Sequence, residues 1–285
     1  MAILSIQSHV SFGHAGNSSA VFPLQRLGLE VWPVYTVGFS NHSGYGKLKG
    51  NIYNAETIKD IVYGIFEITD YNNCDAILTG YLGDASIGNC IIDIVKMIKK
   101  QNPNAKYYCD PVMGDIGRGF FVKEGIPEFF KKNILEVSDH ISPNHFEFNY
   151  LTGTECRNYT DIKKEAKKIF DKGVSSILLT SFIGEETKLD ELDIILMTPY
   201  SMLKVSTPLI INIDKPFVGT GDLIAALYLG NLLKHTDEPI ALQNCVSSTY
   251  AIVKKTKDLN RYELDLIGSQ NEFISPSHVF NLEKI

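Results

Sequence analysis

The chain has 285 residues, a formal net charge of −6, 44% hydrophobic and 21% charged residues, which suits one large α/β domain or two small ones. That charge makes no electrostatic case for nucleic acid or an anionic membrane, and no stretch nears the roughly 18 apolar residues needed to span a bilayer. Five cysteines, at 74, 90, 109, 156 and 245, form no Cys-x-x-Cys pair, so reduced thiols and a cytoplasmic location are expected and a zinc site is not.

Residues 2–5 read as a buried strand that ends at the polar run Gln7-Ser8-His9, a break too early for a secretory signal. The loop Gly13-His14-Ala15-Gly16 leads to Asn17 or Ser18 as a cap and to a helix over 20–27. Gly28 stops that helix, and 30–37 is the next strand, so parallel pairing with a right-handed crossover is expected. Residues 38–54 are polar, aromatic and glycine-rich, and too long for an ordinary connection. A lid or ligand-contact segment is the first reading, and an exposed hairpin the alternative.

Alternation then resumes, with a helix over 55–68, a strand over 75–78, the loop Thr79-Gly80-Tyr81-Leu82-Gly83, a helix over 86–100 and a strand over 105–109. Asp110-Pro111-Val112-Met113-Gly114-Asp115 puts an acid at that strand's end, ahead of a glycine-rich segment reaching Phe121. A helix over 126–133 and a short strand over 139–141 follow, and Ser142-Pro143-Asn144 opens another helix. The basic helix over 161–172 reads as a solvated face, and 174–180 as a strand. Residues 192–198 and 202–205 look like an antiparallel pair, and a long helix over 239–257 turns Val246, Tyr250 and Val253 to the core. No linker or repeat divides residues 1–285, which implies a single α/β domain with a mostly parallel sheet covered on both faces. Ligands gather at the carboxyl ends of such strands, where Ser8, Tyr81, Asp110, Ser142 and Thr180 all fall.

The chain is organised around Phe217-Val218-Gly219-Thr220-Gly221-Asp222 and the apolar helix that starts at once behind it. Two glycines at a helix N-terminus point free N–H groups one way, with the positive end of the helix dipole behind them. That is a site for phosphate. Asp222 repels such a ligand. It reads either as an N-terminal cap or as a general base acting on a hydroxyl while the N–H groups hold a transferring phosphoryl. Asp110, Asp115 and Glu147 are hard ligands without a histidine pair, a set that suits Mg²⁺ shared with phosphate oxygens. Neither a Walker loop nor a G-x-G-x-x-G fingerprint is present, which weighs against P-loop NTPases and dinucleotide dehydrogenases.

Gly219-Thr220-Gly221-Asp222 resembles the signature of the ribokinase-like superfamily. Four further ordered blocks resemble its pyridoxal kinase branch: Ile6 to Ser18, Phe39 to Gly46, Thr79 to Gly83 and Cys109 to Asp115. The resemblance implies a three-layer α/β/α sandwich with small lid segments, and phosphorylation of the 5′-hydroxyl of pyridoxal in vitamin B6 salvage. By matching position it implies Asp222 as base and Gly219, Thr220 and Gly221 as anion hole. It places Ser8, His42, Ser43, Gly44 and Tyr81 around the pyridine ring. Asp110, Asp115, Ser142, Glu147 and Thr180 would lie around the ATP phosphates and metals, with Thr207, Pro208, Leu209 and Ile210 lining the nucleotide site. The segment 114–121 would be a lid that excludes water. Mg²⁺ and ATP are the implied cofactors, with a monovalent cation as a further option and a homodimer as the implied assembly. Thr180 stands where many relatives carry a lysine, and Arg118 in the lid offers a positive charge instead. His9 and His14 read as loop histidines satisfied by backbone rather than as catalysts. Two alternatives stay open: a kinase of the same fold for the thiamine pyrimidine precursor, and a protein that binds pyridoxal 5′-phosphate with little turnover.

Overall fold

A computed structural model of the chain describes residues 1–211 and 216–285. The first half runs β1 (Ala2–Val10), α1 (Asn17–Arg26), β2 (Glu30–Phe39), β3 (Gly50–Ile52), α2 (Ala55–Ile68), β4 (Ala76–Thr79), α3 (Ala85–Gln101), β5 (Lys106–Cys109), β6 (Gly114–Asp115), β7 (Gly119–Phe120) and α4 (Ile126–Phe129). The second half runs β8 (His140–Ile141), α5 (His145–Thr152), α6 (Tyr159–Phe170), β9 (Ser176–Phe182), β10 (Glu191–Met197), β11 (Met202–Pro208), α7 (Thr220–His235), α8 (Glu238–Asp258) and β12 (Glu283–Lys284).

Ten strands make one sheet in the order β12-β11-β10-β9-β8-β5-β4-β1-β2-β3. The central run from β2 to β9 is parallel, and β3 at one edge and β10, β11 and β12 at the other are antiparallel. The period of two in β1 shows why both faces are covered. Leu4 and Ile6 enter a core shared with α2, α3, α5 and α6, whereas Ile3 enters the opposite core with α1, α7 and α8. This is the three-layer α/β/α architecture of the ribokinase-like fold. Helix α7 is buried from Leu223 to Asn231, and a Cβ on Gly230 would strike Leu27 Cδ1 at 2.7 Å, so glycine lets α7 press against the end of α1. Among the described residues no helix is long and apolar enough to cross a membrane.

Three local readings change. Strand β1 does not stop at Gln7 but runs to Val10, because its polar side chains are satisfied internally. Ser5 Oγ donates to Asn17 Oδ1 at 2.7 Å, Gln7 Nε2 donates to Ser5 Oγ at 3.0 Å, and Asn17 Nδ2 reaches the Val34 carbonyl at 3.1 Å. Asn17 therefore ties β1 to β2 from inside and does not cap α1, whose N-cap is Gly16 at φ 57°. The expected helix over 126–133 is one α-turn followed by a π-turn over Phe130–Ile134. Residues 38–54 hold both proposed features, since β3 pairs antiparallel to the end of β2 and Ser43, with His42 before it, lines the cavity described next.

Candidate active site

One cavity of about 750 Å³ opens at the carboxyl edge of the parallel strands. It gathers Ser8, His42, Ser43 and Tyr81 with Thr180, Thr207, Pro208, Leu209 and Ile210 in one lining. Asp110, Asp115, Ser142, Glu147 and the stretch from Gly219 to Asp222 also line it. Residues scattered from 8 to 222 thus meet in one volume, as the strand-end argument requires. Gly44 is not in the lining. A Cβ there would meet the Tyr262 hydroxyl at 2.4 Å and His42 Nδ1 at 2.9 Å, so this glycine permits close packing behind the wall.

The start of α7 has two different glycines. Gly219 is the N-cap of α7 at φ 86°, and a Cβ there would lie 1.9 Å from the His14 carbonyl oxygen. Its own carbonyl accepts the Leu223 N–H and the Ser19 hydroxyl, each at 2.9 Å. Gly221 needs no unusual φ, and a Cβ there would have Asp110 Oδ2, at 3.9 Å, as its nearest neighbour. The missing side chain at 221 leaves space in the cavity rather than relieving the backbone. Asp222 is the third helical residue of α7, not its N-cap, which corrects the simple capping alternative. Burial pushes its carboxyl above the ordinary value, against the pull of the Gly16 N–H and its own N–H.

Two more acids sit close by. Asp110 follows β5 directly, and its own N–H donates to the Thr79 carbonyl at 2.9 Å. Burial first, then the negative charges of Glu147 and Asp222, push Asp110 well above its ordinary value. Glu147 closes a capping box on α5 with Asn144. Its Oε1 accepts the Met113 N–H at 2.8 Å and its Oε2 accepts the Asn144 N–H at 2.9 Å. Burial nevertheless raises it to about 8. Ser142, buried in the same lining, opposes the rise of Asp110 through its hydroxyl. Asp115 is raised by burial too, while the Ile116 N–H and the Arg118 charge oppose that rise. Among the described residues no three His, Cys, Asp or Glu side chains converge as a ready metal cage.

The segment expected to be a lid is the β6–β7 hairpin. Phe120 packs edge-on to Phe146 and Tyr150, and the Arg118 guanidinium lies 5.0 Å from the Phe121 ring centre. His9 and His14 are accounted for without catalysis: Ser18 Oγ lies 3.0 Å from His9 Nδ1, and the Ser18 carbonyl 3.2 Å from His14 Nδ1. Val246, Tyr250 and Val253, read as core, line the cavity, since the same helical period serves a core and a cavity wall alike. Sequence reasoning missed Ser181, held at φ 55° in the lining, and Glu263, which reaches His42 and Tyr45 from beyond α8. No local spacing marks either one.

An open α/β sheet with a helix N-terminus and an acid aimed into a cavity at its carboxyl edge defines a small-molecule kinase of the ribokinase-like class. The phosphomethylpyrimidine kinase family model matches residues 51–265. The chain is 41% identical to pyridoxal kinase PdxY of Granulibacter bethesdensis over 285 residues, covering 98% of each chain. It is also 41% identical to pyridoxal kinase PdxY of Rubrobacter xylanophilus over 288 residues, covering 99% of this chain and 97% of that one. Among solved structures, pyridoxal kinase from Leishmania donovani in complex with ADP and pyridoxamine superposes with a TM-score of 0.89 at 27% identity, covering 100% of this chain and 99% of that one. The chain belongs to the pyridoxal kinase family.

Proposed function

We propose that this single-domain chain transfers the γ-phosphoryl group of ATP to the 5′-hydroxyl of pyridoxal, giving pyridoxal 5′-phosphate and ADP, with Asp222 as the general base. The observation that carries this reading is the position of Asp222. Its carboxyl lines the cavity one turn inside a helix whose first N–H groups face the same space. The pyridine ring sits among Ser8, His42, Ser43 and Tyr81, and the nucleotide lies against residues 207–210. The hydroxyl then meets Asp222 while the N–H groups of Thr220 and Gly221 receive the phosphoryl oxygens. Asp222 takes the hydroxyl proton as the new O–P bond forms and the bond to the ADP oxygen breaks. Burial makes this carboxylate a stronger base than one in water, which suits that step. Closure of the β6–β7 hairpin keeps water from competing as acceptor.

The donor set fits Mg²⁺. Asp110 is raised by burial first and then by two neighbouring negative charges, so a cation there would relieve it, and the Ser142 hydroxyl shares its lining. Asp110 would hold the ion, with Asp115 nearby and Glu147 contributing charge while its oxygens hold the backbone. Bound there, Mg²⁺ would neutralise phosphate charge. A monovalent cation, a homodimer and a cytoplasmic location extend the same family likeness.

A coupled assay for ADP release across pyridoxal, pyridoxine, pyridoxamine and the thiamine pyrimidine precursor tests the assignment. Pyridoxal-dependent ADP release well above the rate with the thiamine precursor is expected. Turnover with the precursor alone would reassign the substrate, and tight binding of pyridoxal 5′-phosphate without turnover would point to a binding protein.

A further inference from the structure

Glu263 lies beyond α8, more than two hundred residues from the segments it holds. Its Oε1 accepts from His42 Nε2 at 2.8 Å and from the Tyr45 hydroxyl at 2.7 Å. Its Oε2 accepts the His14 N–H at 2.8 Å. On the other side of the His42 ring, Nδ1 accepts the Gly44 N–H at 3.2 Å, which leaves the proton on Nε2, facing Glu263. One carboxylate therefore fixes both the tautomer and the plane of His42, a side chain whose pocket face belongs to the vitamin end of the cavity. The fit is tight from both loops. A Cβ on Gly13 would strike Glu263 Oε2 at 2.2 Å, and Gly44 packs against the Tyr262 hydroxyl. Burial works to raise the Glu263 pKa, but the His42, Tyr45 and His14 hydrogen bonds outweigh it and the net direction is down.

We propose that Glu263 is the positioning residue of the vitamin-side half of the site, holding His42, Tyr45 and the loop before α1 in the arrangement that receives the pyridine ring. Glu263 does not line the cavity itself and acts through His42. The proposal rests on the reading of pyridoxal as acceptor. With Glu263 gone, His42 is free to rotate and change tautomer, and the turn over Ser43–Tyr45 loses its anchor. Ring binding weakens, whereas the nucleotide end, built from β11 and α8, is untouched.

The test is steady-state kinetics on Glu263→Ala, His42→Gln and the double variant. Loss of a charge-assisted network gives a KM for pyridoxal raised about tenfold or more in Glu263→Ala, with the KM for ATP within about twofold of the parent. Because both residues act as one unit, the double variant falls well short of the product of the two single effects. Should Glu263→Ala fail to fold, Glu263→Gln keeps the volume and an acceptor oxygen but not the charge, and shows the same selective rise at smaller size. A folded variant with unchanged KM for pyridoxal, or equal rises for pyridoxal and ATP, overturns the role. Full multiplicativity in the double variant also overturns it, because it separates Glu263 from His42. A parent enzyme without activity on pyridoxal overturns this proposal together with the substrate reading, whereas an active parent with an unaffected variant overturns this proposal alone.

Discussion

Gly219→Ala places a methyl group 1.9 Å from the His14 carbonyl oxygen, about 1.5 Å short of ordinary contact. Neither side can give way cheaply. His14 is held by the Glu263 carboxylate through its N–H, and the Gly219 carbonyl is held by Leu223 and Ser19. A left-handed φ of 86° costs a non-glycine residue about 1–2 kcal/mol, and overpacking of this kind adds about 1–3 kcal/mol. The expected loss is therefore about 2–5 kcal/mol of unfolding free energy, measured by denaturant titration. Relaxation must move the start of α7 away from the loop before α1 by an amount on the order of 1 Å, and a misplacement of that size costs about a hundredfold in turnover. Gly221→Ala is the internal control. It has room, no left-handed φ and a better helix former, so it keeps or gains up to about 1 kcal/mol of stability. Its methyl nevertheless enters the space before Asp110, and kcat/KM for ATP should fall at least about tenfold. Gly219→Ala with parental stability and turnover, or Gly221→Ala with parental kinetics, would refute this division between a backbone glycine and a space-giving one.

Deleting residues 117–120 should raise ATP hydrolysed per phosphorylated product more than it weakens pyridoxal binding by calorimetry, because the hairpin shields the cavity that it lines through Arg118; an unchanged ratio would reduce it to a connection. Excess chelator should abolish turnover, and Mg²⁺ should restore it; full activity in chelator would remove the metal from Asp110. Glu147 has a raised pKa in the folded chain, so its contribution to stability is complete below the ordinary value of 4.5 and is lost as pH rises through about 8. Asp110 is shifted the same way. The ligand-free protein should therefore have a lower Tm at pH 9 than at pH 6, by differential scanning calorimetry. A flat or opposite trend would show that the backbone N–H groups on Glu147 outweigh its burial.

Periodicity made the α/β/α layering legible, because each parallel strand carries apolar residues on both faces and each helix a separate stripe. The carboxyl-edge rule then placed acids and hydroxyls distant in sequence around one space before any coordinates. What the chain concealed shares one physical cause: a polar residue satisfied by a distant partner looks like a polar residue in water. Gln7 looked like a strand end, but its side chain is satisfied internally by Ser5, which Asn17 holds in turn. Asn17 looked like a cap for the same reason. The position of Asp222 depends on where α7 begins, and helix boundaries are read no better than a residue or two from sequence. Glu263 had no local signal, since its three partners lie in other segments.

Steady-state kinetics and a thermal melt on one purified Asp222→Asn protein test the assignment of the base most directly. Asparagine keeps the shape and an acceptor oxygen for the Gly16 N–H, and loses only the charge near the start of α7. A third-position charge at a helix start contributes about 0.3–1 kcal/mol, so the Tm should move by a few degrees at most. The amide cannot take the hydroxyl proton, and kcat should fall by roughly 10²–10⁴-fold while ATP affinity holds or improves as a repelling charge is removed. A folded Asp222→Asn enzyme with kcat within about threefold of the parent would contradict the base assignment and leave this stretch as a phosphate cradle alone.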